Sequence, residues 1–224
     1  MKSAINLSTR QSGIEKGFWE MYFNMIIKPS KTLPAVFDHP RKIRLGLQAV
    51  LIPALGYTLF YILAWNAGGA PSSFKPWLAL PIEQYFKYDI FLSLPAYFIS
   101  WILASGTLYL LARLMGGTGN YDDTLVALAF GIGIATWSSM LHDLTDAILG
   151  FAGIIDMREY EKLLNEPTFW RYLLLSLYFI YFAWFIILFS LGIENAHKLN
   201  RKKSLLLGFT GLVVFQTMLL IFIR

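Results

Sequence analysis

Five uncharged and mainly apolar stretches divide the chain, and every charged residue lies outside them. The stretches cover residues 45–74, 90–112, 124–142, 172–193 and 204–223. A bilayer hydrocarbon core of about 30 Å is crossed by about 20 helical residues, so each stretch is long enough to span it. The pattern therefore predicts an all-α, polytopic membrane helix bundle with five transmembrane helices.

Composition excludes several other classes of protein. The chain is 56% hydrophobic and only 15% charged, whereas a soluble domain carries about 25% charged residues. It contains no cysteine, which excludes a disulfide scaffold, a thiolate nucleophile and a Cys-ligated metal. We expect neither a soluble enzyme nor a disordered chain, and no motif indicates a cofactor.

The positions of the basic residues predict the orientation in the membrane. With the N-terminus in the cytoplasm, 13 of the 19 Lys and Arg residues lie on the cytoplasmic side and 6 lie outside. Since cytoplasmic loops retain Lys and Arg, this count favours N-in, and five spans then put the C-terminus outside. The net charge of +5 is explained in this way, so nucleic acid is not an expected partner. We expect a multi-pass protein, in the cytoplasmic membrane if the source is prokaryotic.

The segment before the first span contains charged residues among its apolar ones and is too polar to cross the membrane. Residues 1–44 are expected to form a cytoplasmic amphipathic interfacial segment, and residues 45–224 the five-helix transmembrane domain. A helix over 14–28 is predicted from apolar residues at helical spacing, namely Ile14, Phe18, Met21, Tyr22 and Met25. Such a helix can lie in the inner membrane interface or pack on the cytoplasmic end of the bundle, and both interpretations stay open.

Small side chains recur every four residues along the third span, at Ala127, Gly131, Ala135 and Ser139. A stripe of this kind lets a neighbouring helix approach closely. Helix packing is therefore the favoured interpretation, and a narrow pathway lined by the same stripe is the alternative.

The same helical register leads into a polar group at the outer end of the third span. Our candidate intramembrane site consists of Ser139, His142, Asp143 and Asp146, with Ser138 beside it. Ionisable groups within a membrane are expensive and often mark functional sites.

Three interpretations of this polar group were considered. His142, Asp143 and Asp146 could ligate a metal, although the histidine pair of a zincin motif is missing. The same residues could relay protons, because histidine titrates near neutral pH. The favoured interpretation is a polar cap at the membrane surface, with no metal site assigned. Residues 147–155 either extend the third helix, which would place the group deeper, or form a separate interfacial helix.

Two further features were interpreted from their position between the spans. The basic turn, defined as Lys198, Arg201, Lys202 and Lys203, is expected to contact anionic lipid headgroups at about 1 kcal/mol per charge. The outer loop 156–171 is expected to form a solvated amphipathic turn of helix without a site. In the last span, Gln216 is expected to form a hydrogen bond with a neighbouring helix.

Three segments read together resemble the Yip (Ypt-interacting protein) family of membrane proteins. They are residues 28–37 (KPSKTLPAVF), 111–130 (LARLMGGTGNYDDTLVALAF) and 191–205 (LGIENAHKLNRKKSL). The resemblance implies five helices, a cytosolic N-terminus and no known catalytic activity. Eukaryotic members are associated with Rab-type GTPases and vesicle traffic. This chain lacks an Asp-Leu-Tyr-Gly-Pro motif and resembles the short prokaryotic members.

The leading functional hypothesis is a non-enzymatic integral membrane protein that organises membrane or binds partners through its cytoplasmic face. The alternative is a small ion or solute transporter or channel that uses the polar end of the third helix. The expected partners are the lipid bilayer and a membrane or cytoplasmic protein, and a homo-oligomer is compatible with the sequence.

Overall fold

The all-α prediction is confirmed. The computed structural model describes residues 17–71, 77–78 and 80–223, so Ile14 and the start of the predicted N-terminal helix lie outside the described residues. Within those ranges there are nine α-helices, a 3₁₀ turn at Ile82–Gln84 and no strand. The helices are α1 (Phe18–Ile27), α2 (Pro29–Phe37), α3 (Lys42–Asn66), α4 (Tyr85–Leu114), α5 (Tyr121–Ala135), α6 (Trp137–Phe151), α7 (Met157–Leu163), α8 (Phe169–His197) and α9 (Arg201–Phe222).

The protein is a multi-pass membrane protein, as predicted. Four helices, α3, α4, α8 and α9, are long and apolar enough to cross a bilayer. Helices α5 and α6 meet the same criterion together, but a bend of 43° separates them. The count reaches five when this bent pair is taken as one span.

Several helix starts are fixed by side chains that accept a backbone hydrogen bond. Asn120 accepts from the backbone N–H of Asp123 at 2.8 Å before α5, and Asn200 accepts from that of Lys203 at 3.0 Å before α9. Such caps satisfy N–H groups that have no partner inside the helix. At the C-terminal end of α8, Lys198 adopts the left-handed backbone conformation, with a φ of 56°. This residue ends the helix and begins the short connection to α9.

The predicted third span is bent at Thr136, whereas the sequence pattern predicts one continuous helix there. The hydroxyl of Thr136 donates to the carbonyl of Ile132 at 2.7 Å, a back-bond that often bends helices. Two carbonyls near the bend accept hydrogen bonds from side chains. Tyr22 donates to Gly133 at 2.5 Å, and Ser138 donates to Ala135 at 3.1 Å. Helix α6 then continues to Phe151, so residues 147–151 extend the third helix.

Before the bend, α5 is packed tightly between its neighbours. It contacts α3, α4 and α8, whereas the principal helix contacts of α6 are with α3 and α8. A Cβ atom on Gly131 would lie 2.6 Å from the ring of Phe189, and one on Gly133 would lie 2.5 Å from the carbonyl oxygen of Ala49. In this part of the span the small residues therefore form a packing surface.

Helix α1 lies along the flank of α5. Its buried face carries Met21, Tyr22 and Met25. Gly133, which Tyr22 contacts, lies roughly 18 Å from the start of α5 at about 1.5 Å per residue. Tyr22 thus joins α1 to α5 near the end of α5.

The helix ends fall into two groups. The inner end contains the starts of α3, α5 and α9 and the ends of α4 and α8, which the charge pattern assigns to the cytoplasm. The outer end contains the end of α3, the start of α4, the end of α6, α7 and the start of α8. Lys42 of α3 and Asp123 of α5 form an ion pair of 2.6 Å at the inner end.

Candidate functional site

A cavity lies in the outer half of the bundle, next to the part of the third span that follows the bend. The outer cavity is about 420 Å³ in volume and is lined by residues of α3, α4, α6, α7, α8 and α9. Before the bend, α5 packs against its neighbouring helices. After the bend, residues of α6 form part of the cavity wall. The cavity therefore lies just beyond the point where the third span changes direction.

The four residues proposed from the sequence as a candidate site all line this cavity. They are Ser139, His142, Asp143 and Asp146. Nδ1 of His142 lies 3.1 Å from Oδ1 of Asp143 and 3.1 Å from Oδ2 of Asp146. The side chain of His142 is only 5% exposed, and both carboxylates contact its Nδ1 atom. This geometry favours a proton on Nδ1, since a carboxylate can only accept there.

Two tyrosines extend this arrangement to neighbouring helices. The hydroxyl of Tyr57 on α3 lies 3.0 Å from Oγ of Ser139 and 3.0 Å from Oδ2 of Asp143. The hydroxyl of Tyr160 on α7 lies 3.2 Å from Nε2 of His142. One connected set of polar contacts therefore joins α3, α6 and α7 around the cavity.

The sequence interpretation missed the contribution of α7. Its inward face carries Met157, Tyr160 and Glu161, and Leu164 follows directly after the helix. All four line the cavity, and Glu161 is only 5% exposed. Their spacing of three and four residues is that of one helical face, and this was the signal that could have found them. Burial, followed by the nearby carboxylate of Asp146, raises the pKa of Tyr160 well above its ordinary value. Its hydroxyl therefore keeps its proton and can act as a donor.

Aromatic side chains form much of the remaining wall. They are Tyr57, Phe60, Tyr97, Tyr160, Tyr178, Tyr181 and Phe182. The amide of Gln216 on α9 donates to the hydroxyl of Tyr181 on α8. This contact confirms the expected hydrogen bond between Gln216 and a neighbouring helix.

The charged groups of the cavity are unbalanced. Three carboxyl groups, those of Asp143, Asp146 and Glu161, face one imidazole, and no Lys or Arg is among the described lining residues. The cavity is net negative whenever two of the three carboxyl groups are ionised. In the described part of the chain, no group of three or more His, Asp or Glu residues is arranged to hold a metal ion.

At the inner end, two connections are packed into one unit. The backbone N–H of Thr118 donates to the carbonyl of His197 at 3.1 Å. A Cβ atom on Gly117 would lie 2.9 Å from Cβ of His197, and one on Gly119 would overlap the carbonyl oxygen of Ala196. The glycines between α4 and α5 therefore permit close contact with the end of α8. Two of the segments that carry the family resemblance meet here.

A buried histidine holds the same unit together. Nε2 of His197 lies 2.7 Å from Oγ1 of Thr124, which itself donates to the carbonyl of Asn120 at 3.0 Å. Because the threonine proton is already used, Nε2 of His197 is the donor in this pair. The end of α8 is thereby fixed to the start of α5.

The basic turn is divided between the surface and the interior. Lys198, Arg201 and Lys202 are exposed, whereas Lys203 is half-buried. The ammonium group of Lys203 donates to the carbonyl of Met115 at 2.7 Å. Three of the four residues proposed for headgroup contact thus face outward, and the fourth fixes the position of the turn.

The apolar spans, the packed inner end and the outer cavity define a polytopic α-helical membrane protein. Its residues 23–223 match the family model of the Yip1 domain, so the chain belongs to the Yip1 domain family. The resemblance found in the sequence is confirmed over nearly the whole chain. Neither the curated proteins nor the solved structures gave a match. The family is not known for an enzymatic activity.

Proposed function

We propose that this protein is a non-enzymatic membrane protein that organises membrane and binds partners at its inner end, which faces the cytoplasm. The observation that carries the proposal is the outward face of α1. Trp19, Phe23 and Ile27 are 59%, 56% and 72% exposed and follow one another at intervals of four residues. An amphipathic helix normally hides its apolar side chains against the protein, whereas α1 also presents apolar side chains outward.

The position of α1 suggests how it acts on the membrane. Its inward face packs on α5 through Tyr22, and its outward face is available to lipid in the cytoplasmic half of the bilayer. A helix that adds volume to one leaflet is sensitive to membrane curvature and lipid composition. Helix α1 would thus affect the cytoplasmic leaflet, which is the proposed basis of membrane organisation.

The exposed part of the basic turn would provide the contact with partners. Lys198, Arg201 and Lys202 stand on a connection that His197 and Lys203 hold rigid. A fixed group of positive charges attracts anionic lipid headgroups and acidic protein surfaces. Rigidity reduces the ordering cost when a partner binds.

Site-specific photo-crosslinking in cells tests the proposed partner contacts. A photoreactive phenylalanine derivative replaces Lys202 in the basic turn, or Phe179, whose side chain is 75% exposed on α8. We expect protein adducts from position 202 and only lipid adducts from position 179. An adduct with a second copy of the chain would identify the partner as a homo-oligomer.

A charge-neutralised variant provides the matched comparison. Replacing Lys198 and Arg201 by Gln should reduce the protein adducts formed at position 202. The control replaces Lys162 and Arg171, two basic residues at the outer end, and should leave the adducts unchanged. Equal adducts in both variants, or equal protein capture at position 179, would exclude partner binding at the inner end.

A second function, transport of a small ion or solute, is favoured by one specific observation. The outer cavity contains ionisable residues, and His142 and Asp143 are in contact there. In proteoliposomes, flux that is lost in both Asp143→Asn and His142→Ala would support transport. Absence of flux for every ion and solute tested would count against it.

A further inference from the structure

We propose that the outer cavity binds an organic cation, an amine or a quaternary ammonium compound that carries a hydrophobic body. The proposal concerns binding at the outer cavity and goes beyond the function proposed for the inner end. It uses the same cavity as the transport hypothesis, but it requires only that the ligand binds.

The size of the cavity indicates a molecule and not a bare ion. Its volume of about 420 Å³ falls in the range of about 300–1,000 Å³ that is typical of small-molecule sites. Six helices contribute to its lining, so a ligand inside it would be surrounded by side chains on several sides. A compound with one or two rings, or a short branched amine, has a suitable size.

The aromatic lining indicates positive charge on the ligand. Tyr57, Tyr97, Tyr178 and Tyr181 come from α3, α4 and α8 and converge on one cavity. Aromatic faces attract ammonium groups through their quadrupoles, and cages of aromatic rings are used to recognise quaternary ammonium ligands.

The carboxylates form an acidic wall of the cavity. Asp143 and Asp146 come from α6, and Glu161 comes from α7, where it is buried. Carboxylates near one another repel, and a bound cation would reduce that repulsion. The same three groups would repel an anionic ligand, so the arrangement selects for the sign of the charge.

Other walls are apolar. Leu174 of α8 and Leu219 and Leu220 of α9 line the cavity, together with Phe182. These side chains cannot ligate a hard metal ion, which prefers several oxygen ligands. They suit the hydrocarbon body of an amphiphilic cation. Acidic, aromatic and aliphatic walls in one cavity therefore point to a single class of ligand.

Calorimetry with three probes on the unmodified protein tests the ligand class. The cation is benzyltrimethylammonium, the neutral isostere is neopentylbenzene, in which carbon replaces nitrogen, and the anion is benzenesulfonate. The whole protein in a neutral detergent should bind the cation at least about tenfold more tightly than the isostere, and should not bind the anion. Equal binding of cation and isostere, or no binding of the cation, would overturn the proposal.

Matched variants locate the site. Glu161→Gln should weaken binding of benzyltrimethylammonium by about tenfold. Glu159→Gln removes the same charge two residues away, where the side chain is 67% exposed and paired with Lys162, and should leave binding unchanged. Equal effects of the two variants would show that the cation does not bind in the cavity. Should Glu161→Gln fail to fold, the three-probe comparison still decides the question.

A longer probe distinguishes a soluble ligand from one that resides in the membrane. Dodecyltrimethylammonium carries the same headgroup on a lipid-like chain, and competition with benzyltrimethylammonium measures its relative affinity. Tighter binding of the long chain would identify the ligand as a membrane amphiphile, whereas tighter binding of the short probe would identify a soluble amine. Binding of either cation without its transport in proteoliposomes would support the cavity as a binding site and would count against transport of this ligand class.

Discussion

Tyr22 connects the N-terminal helix to the bend of the third span through a single hydroxyl group. It donates to the carbonyl of Gly133 at 2.5 Å and accepts from Nε1 of Trp137 at 2.8 Å. Burial raises its pKa to about 12, so the phenol keeps its proton at neutral pH. One side chain from outside the spans thus satisfies two polar groups where the helix is interrupted.

Removing this hydroxyl should destabilise the protein. Tyr22→Phe leaves the carbonyl of Gly133 and the indole N–H of Trp137 without this partner, and an unsatisfied buried polar group costs about 1–3 kcal/mol. Denaturation in detergent should show a lower free energy of unfolding. The control is Tyr172→Phe, because Tyr172 is 61% exposed. Equal stabilities of the two variants would show that the hydroxyl of Tyr22 contributes nothing specific.

The glycines of the inner end permit a second test at the residue scale. A methyl group on Gly119 would overlap the carbonyl oxygen of Ala196, whereas a Cβ atom on Gly106 of α4 would have no neighbour within 4 Å. Gly119→Ala should lower the free energy of unfolding by about 1–3 kcal/mol. Gly106→Ala should be neutral or stabilising by up to about 1 kcal/mol, because alanine favours helix. The same measurement of unfolding compares the two, and a neutral Gly119→Ala would contradict the close packing of the inner turns.

At the scale of elements, the apolar stretches predicted the long helices, because the part of a helix that crosses the hydrocarbon core is mainly apolar and carries few charges. The bend at Thr136 was not predictable from that pattern, since no proline marks it. It depends on contacts from distant parts of the chain, with Tyr22 of α1 and Ala49 of α3 both lying against Gly133. Helix α7 was predicted as a helix but not as a cavity wall. Its acidic residues indicated exposure to water, and only the spacing of Met157, Tyr160, Glu161 and Leu164 indicated an inward face.

Docking of α7 should depend on its contact with α6. The helix has seven residues, too few to be stable alone, and Tyr160 joins it to His142. Tyr160→Phe should therefore speed amide hydrogen exchange in α7 and leave α9 unchanged. Lys162→Gln alters an exposed ion pair on the same helix that is worth about 0–1 kcal/mol, and it should have little effect. Equal exchange rates in the two variants would show that α7 is held by other contacts.

At the scale of the whole molecule, the sequence predicted the class of protein and the family, but not how its two ends are built. Charge-free stretches and the family segments are continuous in the chain, so they can be read directly. The contact between His197 and the turn around Gly119 joins residues far apart in sequence, and so does the contact between Tyr57 and Asp143. The polar group of α6 could be read from the sequence because it occupies a single helix, but the cavity that it lines could not. The aromatic walls could not be read either, since they come from several spans.

The central claim is that α5 and α6 together cross the membrane despite their bend, with the inner end in the cytoplasm. The chain has no cysteine, so a single introduced cysteine reports the accessibility of one position to a thiol reagent. Asp122→Cys lies in the first turn of α5 and Glu166→Cys lies after α7, and both positions are exposed. In intact cells, a membrane-impermeant maleimide should label position 166 at once and position 122 only after the membrane is opened. Labelling of both positions, or of neither, in intact cells would show that the bent pair does not cross, and labelling of 122 alone would reverse the orientation.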